Sequence, residues 1–328
     1  MQTEAVVFVE TDKVALQSLE MPEPRSGEVR IRTYYSTISG GTEGWALQNL
    51  FTWSATRFPC VPGYQRVGVI ESLASDVIGW RVGDRVMATV GKWEGAINPF
   101  WGAHAALANT SASELYAIPD GVNEIDASGT VVAQVGYNAA YRATYKAGDW
   151  VIVYGDGLIG QSAAQAARSR GARVILVGHR PERLALAAAH SADMVINNHN
   201  ENVIEVVHAH TGGQPVTAIL DSVQSEAAQH EYMPLLERGR GQIVYCGFTP
   251  GTTWADMGVL QQRELTTHFI SGWTRPRMES TLALMAAGKM SLKPLITHLS
   301  SYKNGPEMYR MNASKSQHFL GITLDWTS

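Results

Sequence analysis

Short β-prone runs at residues 5–9, 28–34, 68–73 and 85–88 alternate with turn signals such as Pro22-Glu23-Pro24 and Val82-Gly83-Asp84. That spacing predicts an all-β first region, a small barrel or sandwich. From Asp149 onward the pattern changes. Apolar runs at 151–154, 173–177, 194–196, 218–220 and 242–246 alternate with helical stretches, which predicts a doubly wound parallel sheet. Residues from about 295 to 326 return to short β-like segments, so the last stretch is expected to fold back onto the first. The expected division is 1–122, 123–290 and 291–328.

The most informative stretch is the apolar run Val151-Ile152-Val153-Tyr154, which feeds Gly155-Asp156-Gly157-Leu158-Ile159-Gly160 and then an Ala-rich helix closed by Gly171. Strand, glycine turn and helix in that order, followed by a second strand at 173–177, make a dinucleotide-binding fingerprint. Gly155 permits the tight turn, Gly157 lets backbone approach a pyrophosphate, and Gly160 lets helix and strand pack closely. The phosphates then lie at the helix N-terminus beside Leu158 and Ile159, where free N–H groups and the helix dipole favour negative charge. Cofactor choice turns on the end of the second strand. NAD sites place Asp or Glu there to hold the ribose hydroxyls. Here the chain reads Gly178-His179-Arg180, with Arg183 following. Loss of the acid and gain of an arginine favour NADP(H), with Arg180 gripping the 2′-phosphate. The bland alternatives are a solvated Arg180 and an Arg183 that merely starts a helix.

Composition narrows the class. A chain of 328 residues exceeds the usual single-core size, so two domains are the default. Apolar residues at 45% and charged residues at 17% describe an ordinary globular protein. A formal charge of −4 leaves no footprint for nucleic acid or an anionic membrane. With no apolar run of spanning length and no secretory leader, a cytoplasmic location and a small-molecule substrate are expected. Cys60 and Cys246 are the only cysteines, too few for a disulfide scaffold or a Cys-rich zinc site.

At Val61-Pro62-Gly63-Tyr64-Gln65-Arg66-Val67-Gly68-Val69-Ile70, followed by Arg81-Val82-Gly83-Asp84-Arg85-Val86, the chain resembles the medium-chain dehydrogenase/reductase superfamily. The resemblance extends over nearly the whole length. It implies an α/β protein with a GroES-like β-barrel substrate domain, a Rossmann doubly wound parallel-sheet domain, and hydride transfer with a nicotinamide cofactor.

The departures from that family are as telling as the matches. Zinc-dependent members carry a Cys in the segment matching residues 36–43 and a His-Glu pair after the glycine matching Gly63. Ser39, Tyr64 and Gln65 stand there instead, and such groups do not replace a thiolate and an imidazole on zinc. The segment Ile38-Ser39-Gly40-Gly41-Thr42-Glu43 resembles a zinc-lacking branch that includes bacteriochlorophyllide a dehydrogenase and sugar-associated oxidoreductases. Without metal, the charge that builds on a carbonyl oxygen needs hydrogen-bond donors. Tyr64, Ser39 and Thr42 are the catalytic candidates, with Glu43 orienting the loop. Aromatic residues crowd the first region, and Trp45, Trp101 and His104, with Trp273 further on, are the candidate contacts to a bulky or ring-shaped substrate; Trp93 belongs to the same cluster. The leading expectation is a zinc-independent, NADP(H)-dependent alcohol dehydrogenase or ketone reductase. An enoyl or quinone reductase, or a catalytically inactive NADPH-binding protein, uses the same residues differently. A homodimer is expected, paired through strand 242–246 and the turn Phe248-Thr249-Pro250-Gly251.

Overall fold

The computed structural model describes residues 1–92, 95–249, 256–315 and 317–328, and the chain forms two compact units: Met1–Val131 with Ile296–Ser328, and Val132–Leu295. The first unit begins with β1 (Gln2–Glu10), β2 (Lys13–Glu20), β3 (Glu28–Ile38), α1 (Thr42–Leu47), β4 (Cys60–Val61), β5 (Arg66–Leu73) and β6 (Arg85–Ala88). It continues through β7 (Asn98–Pro99), β8 (Leu107–Ser111), β9 (Leu115–Ala117) and α2 (Glu124–Ser128). Helix α3 (Thr130–Arg142) leads into the second unit, with β10 (Trp150–Tyr154), α4 (Leu158–Ser169), β11 (Arg173–Gly178), α5 (Pro181–His190), β12 (Met194–Asn197) and α6 (Val203–Thr211). Next come β13 (Ala218–Asp221), α7 (Glu226–Tyr232), β14 (Gln242–Tyr245), α8 (Met257–Gln262), β15 (Thr266–Phe269) and α9 (Arg275–Ala286). The first unit is then completed by β16 (Ile296–Ser301), α10 (Gly305–Ser314) and β17 (Gly321–Asp325).

Strand β3 organises the first unit, pairing antiparallel with β5, β8 and β17. Where β5 crosses β3 only glycine fits, because a Cβ on Gly68 would lie 2.0 Å from the Arg32 carbonyl oxygen. Pairing of Ile322 with Ile38 through Asp325 with Tyr35 ties the C-terminal stretch to the same strand. Phe8, Ile38, Tyr309 and Trp326 share one apolar core there. Sequence neighbours of β3 and residues almost 300 positions later are thereby packed together.

The second unit holds a parallel sheet in the order β12-β11-β10-β13-β14-β15. Every residue of β10 is buried, as expected of a central strand covered on both faces, and this is why its sequence runs apolar without alternation. Strand order reverses between β10 and β13, the place where open parallel sheets bind ligands beyond their carboxyl ends. Small side chains bring the helices close: Ala163, Ala164, Ala166 and Ala167 of α4 are fully buried, and a Cβ on Gly136 of α3 would lie 2.4 Å from the Ala163 nitrogen. The order corrects one expectation. Residues 242–246 do not form a sheet edge, because β14 lies between β13 and β15. β12 and β15 are the edge strands, and Pro250 and Gly251 of the adjoining turn lie outside the described residues.

The tightest of these approaches is at Gly160, whose Cβ would sit 1.9 Å from the Gly155 carbonyl oxygen. Gly160→Ala is expected to destabilise the second unit by about 3 kcal/mol or more, the upper end for overpacking against backbone. Urea denaturation followed by tryptophan fluorescence measures it, and an unchanged midpoint would disprove the close approach.

Candidate cofactor and active sites

At the end of β10, Gly155 takes φ +113°, and a side chain there would meet the Ser222 hydroxyl at 2.1 Å. That hydroxyl donates to the Tyr154 carbonyl at 2.8 Å and so pins the start of the turn. Gly157 caps α4 with φ −79° and ψ 177°, and nothing lies within 4 Å of the position its Cβ would take. Leu158 and Ile159 open the helix, so their N–H groups and that of Gly160 have no partner within the helix. An open cradle, unpaired donors and the positive end of a helix dipole suit an anionic pyrophosphate. The residues present therefore fit a dinucleotide, and a Cβ at Gly157 would occupy the space it needs.

The residue between the first two glycines carries a role that the motif does not reveal. The Asp156 side chain, 2% exposed, reaches across to the end of β11. Oδ2 accepts the backbone N–H of His179 at 3.1 Å and of Arg180 at 3.0 Å. Oδ1 accepts from Nη1 of Arg180 at 2.9 Å and of Arg183 at 3.4 Å. Burial pushes this carboxyl up, but the Arg180 N–H and guanidinium, the His179 N–H and Arg183 outweigh it and hold it below its ordinary value. Gly178 makes the reach possible, since a Cβ there would lie 2.7 Å from that of Asp156. Gly178, His179, Arg180 and Arg183 are thus assembled around one buried acid. His179 stacks on His199 with ring centroids 4.5 Å apart.

In the first unit Ser39 follows β3, Thr42 opens α1 and Tyr64 follows β4. The structure brings these three hydroxyls near one another: Tyr64 is 8% exposed, and the Ser39 and Thr42 hydroxyls are close enough to act on its phenol. Burial and the nearby Glu43 charge raise the Tyr64 pKa, and the two hydroxyls offset this only in part. Tyr64 therefore remains a neutral phenol, a hydrogen-bond donor, across the physiological range. The Trp101 ring meets it edge-on at 5.2 Å, held by a backbone φ of +68° that bulky residues rarely adopt. Trp45, half-buried like Trp101, lies over Gly41. Trp273 is half-buried in the second unit just before α9, and Trp93 lies outside the described residues.

Behind the hydroxyls stands a buried network. Glu43, 0% exposed, accepts the Ser39 N–H at 2.8 Å through Oε1. Its Oε2 accepts from His104 Nε2 at 2.9 Å and from the Tyr309 hydroxyl. His104 Nδ1 lies 2.7 Å from the Ser36 hydroxyl, which accepts the Trp326 indole N–H at 2.8 Å. This corrects the expectation that His104 contacts substrate: it is 0% exposed and both ring nitrogens are taken. Gly63, at φ +89°, leaves the space that His104 fills, as a Cβ there would lie 2.5 Å from the ring. Gln65 is likewise committed, donating to the Thr37 carbonyl at 3.1 Å.

These residues do not fit a catalytic zinc. Among the described residues no group of three or more His, Cys, Asp or Glu side chains is placed to hold a metal ion. Burial pushes the Cys60 thiol up to about 12, so by itself it is a neutral thiol at neutral pH.

Comparison with known proteins agrees with the two-unit reading. Residues 25–120 match the alcohol dehydrogenase GroES-like domain and residues 159–287 match the zinc-binding dehydrogenase domain. An alcohol dehydrogenase of Cupriavidus necator is 25% identical over 98% of both chains. Among solved structures, an Escherichia coli alcohol dehydrogenase in complex with NADH superimposes with a TM-score of 0.85 at 20% identity over 99% of both chains. A zinc-binding dehydrogenase candidate from Sinorhizobium meliloti, bound to NADP, gives 0.86 at 17% identity over 99% of both. At these identities the structural likeness establishes the fold: a GroES-like unit and a Rossmann unit.

Glu43→Ala is expected to destabilise the first unit by about 3–5 kcal/mol, because it strips His104, Tyr309 and the Ser39 N–H of one shared buried acceptor. A denaturation midpoint within error of the parent would show that the network carries no load.

Proposed function

Because the chain belongs to the medium-chain dehydrogenase/reductase superfamily, we propose that it is an oxidoreductase of alcohols and ketones that uses NADP(H) and no catalytic metal ion. The observation that carries this reading is the grouping of the Tyr64, Ser39 and Thr42 hydroxyls, with Ser39 and Tyr64 at the sequence positions where zinc-dependent relatives keep metal ligands. When bound, the nicotinamide cofactor supplies the hydride for reduction or takes it up in oxidation. Tyr64, a neutral phenol by virtue of its burial, donates to the carbonyl oxygen on which charge builds. Ser39 and Thr42 hold the phenol in place and share its charge. Glu43 anchors the loop through the Ser39 N–H. Trp101 beside the phenol and Trp45 over Gly41 offer flat apolar rings, which suit a bulky or ring-shaped substrate.

Support for NADP(H) is electrostatic. One carboxylate, Asp156, faces two guanidinium groups at the end of β11, leaving net positive charge where a 2′-phosphate belongs. A homodimer remains part of the proposal, now through β15, an edge strand whose Phe269 is 74% exposed.

Gly157→Val is expected to abolish NADP⁺ binding in a fluorescence titration while leaving the fold intact, since the added side chain meets only open space; undiminished affinity would remove the cofactor site from the glycine turn. Tyr64→Phe should lower kcat for ketone reduction by about 10²-fold or more, and the parent should keep its activity after dialysis against a strong chelator. Reduction of enones alone, with no interconversion of alcohol and ketone, would replace this reading with that of a C=C reductase. The raised Tyr64 pKa also predicts that the reduction rate shows no fall as pH rises through about 10, the ordinary tyrosine value.

A further inference from the structure

We propose that Asp156 is the positioning residue for 2′-phosphate recognition, an inference that rests on the NADP(H) reading above. A carboxylate has about four acceptor positions. All four are filled here, two by the backbone N–H groups of His179 and Arg180 and two by the guanidinium groups of Arg180 and Arg183. Nothing is left on it to accept a ribose hydroxyl, which is what the acid of an NAD site does at this end of the sheet. The acid instead acts through its partners. It fixes the first residues ahead of α5 by their N–H groups and fastens two arginine side chains from one point.

The arginines are held unequally. The Arg183 side chain is 14% exposed and Arg180 38%, so Arg183 backs the cluster and Arg180 faces outward with Nη1 tethered. A tethered guanidinium loses less side-chain freedom on binding a phosphate than a free one. His179 contributes little charge, because burial and the neighbouring Arg180 lower its pKa below the ordinary histidine value and outweigh the pull of Asp156. It presents a flat ring stacked on His199. Glycine at 178 is the steric condition for the arrangement, since any larger residue would displace the Asp156 side chain.

Simple charge counting and positioning predict opposite outcomes for Asp156→Asn. Removing a negative charge beside a phosphate site should tighten phosphate binding. Removing a tether should weaken it. The test is calorimetric titration of the full chain with 2′,5′-ADP and with 5′-AMP, which differ only by the 2′-phosphate. The parent is expected to prefer 2′,5′-ADP. Asp156→Asn should lose about tenfold or more for 2′,5′-ADP, the equivalent of one charge-assisted contact, with 5′-AMP binding little changed. In an Arg180→Ala background the same substitution should have a much smaller effect, because the tether then has one fewer side chain to hold. Arg180→Lys, which keeps the charge and loses the fork, should also weaken 2′,5′-ADP selectively, and it serves should Asp156→Asn fail to fold. Equal or tighter 2′,5′-ADP binding by Asp156→Asn overturns the inference, as does parental 2′,5′-ADP affinity in Arg180→Lys. A parent that binds the two nucleotides equally overturns the NADP(H) reading itself.

Discussion

The second unit depends on a missing side chain. With only hydrogen at Gly160, α4 settles onto the Gly155 carbonyl at a distance no Cβ would allow. That contact sets the N-terminus of α4 directly beyond the end of β10, so that the helix dipole and the first N–H groups meet at the central point of the sheet. The same tight turn projects Asp156 sideways, over Gly178, to the end of the neighbouring strand. One steric permission thus builds both the pyrophosphate cradle and the charged cluster beside it. Neither feature would survive a wider turn.

Two buried carboxylates, one in each unit, serve as organisers. Glu43 gathers a backbone N–H, an imidazole and a phenol; Asp156 gathers two backbone N–H groups and two guanidinium groups. A buried carboxylate is costly unless its acceptor positions are filled. Once they are filled, the acid is held fast and so are its partners. Acids this completely satisfied are poor candidates for proton transfer and good ones for fixing the groups that touch ligand.

What the sequence revealed was local. The glycine spacing, the apolar run of β10 and the change from β-rich to alternating pattern are written within short windows, and the structure has them there. The hydroxyls Ser39, Thr42 and Tyr64 were legible as a group only through the family resemblance, because about twenty residues separate the loop from Tyr64. Strand order is non-local, which is why β14 read as an edge when β15, a four-residue strand of mixed polarity, lies outside it. His104 stands in a run of alanines close to half-buried aromatics, and nothing in that window says that Glu43, 61 positions earlier, and Ser36 take both its nitrogens. Asp156 occupies a position the fingerprint leaves free, and its partners lie 24 and 27 residues on. The nearest signal was the pairing of an acid in the turn with a glycine, in place of an acid, at the end of the second strand.

That pairing also changes what the second strand's end means. An acid at the last position of β11 would face outward with acceptor positions to spare and repel a 2′-phosphate. Moved to the glycine turn, an acid of the same charge reaches the same corner from the buried side, with every acceptor position spoken for. The corner keeps a carboxylate and yet has the Arg180 guanidinium turned toward solvent, because the acid lies beneath it and has only 2% of its side chain exposed. Which side of the arginine the carboxylate occupies, more than whether one is present, decides the sign of the field a nucleotide meets. A reading based on residue type at one strand position is blind to that distinction; the burial of Asp156 and the exposure of Arg180 supply it.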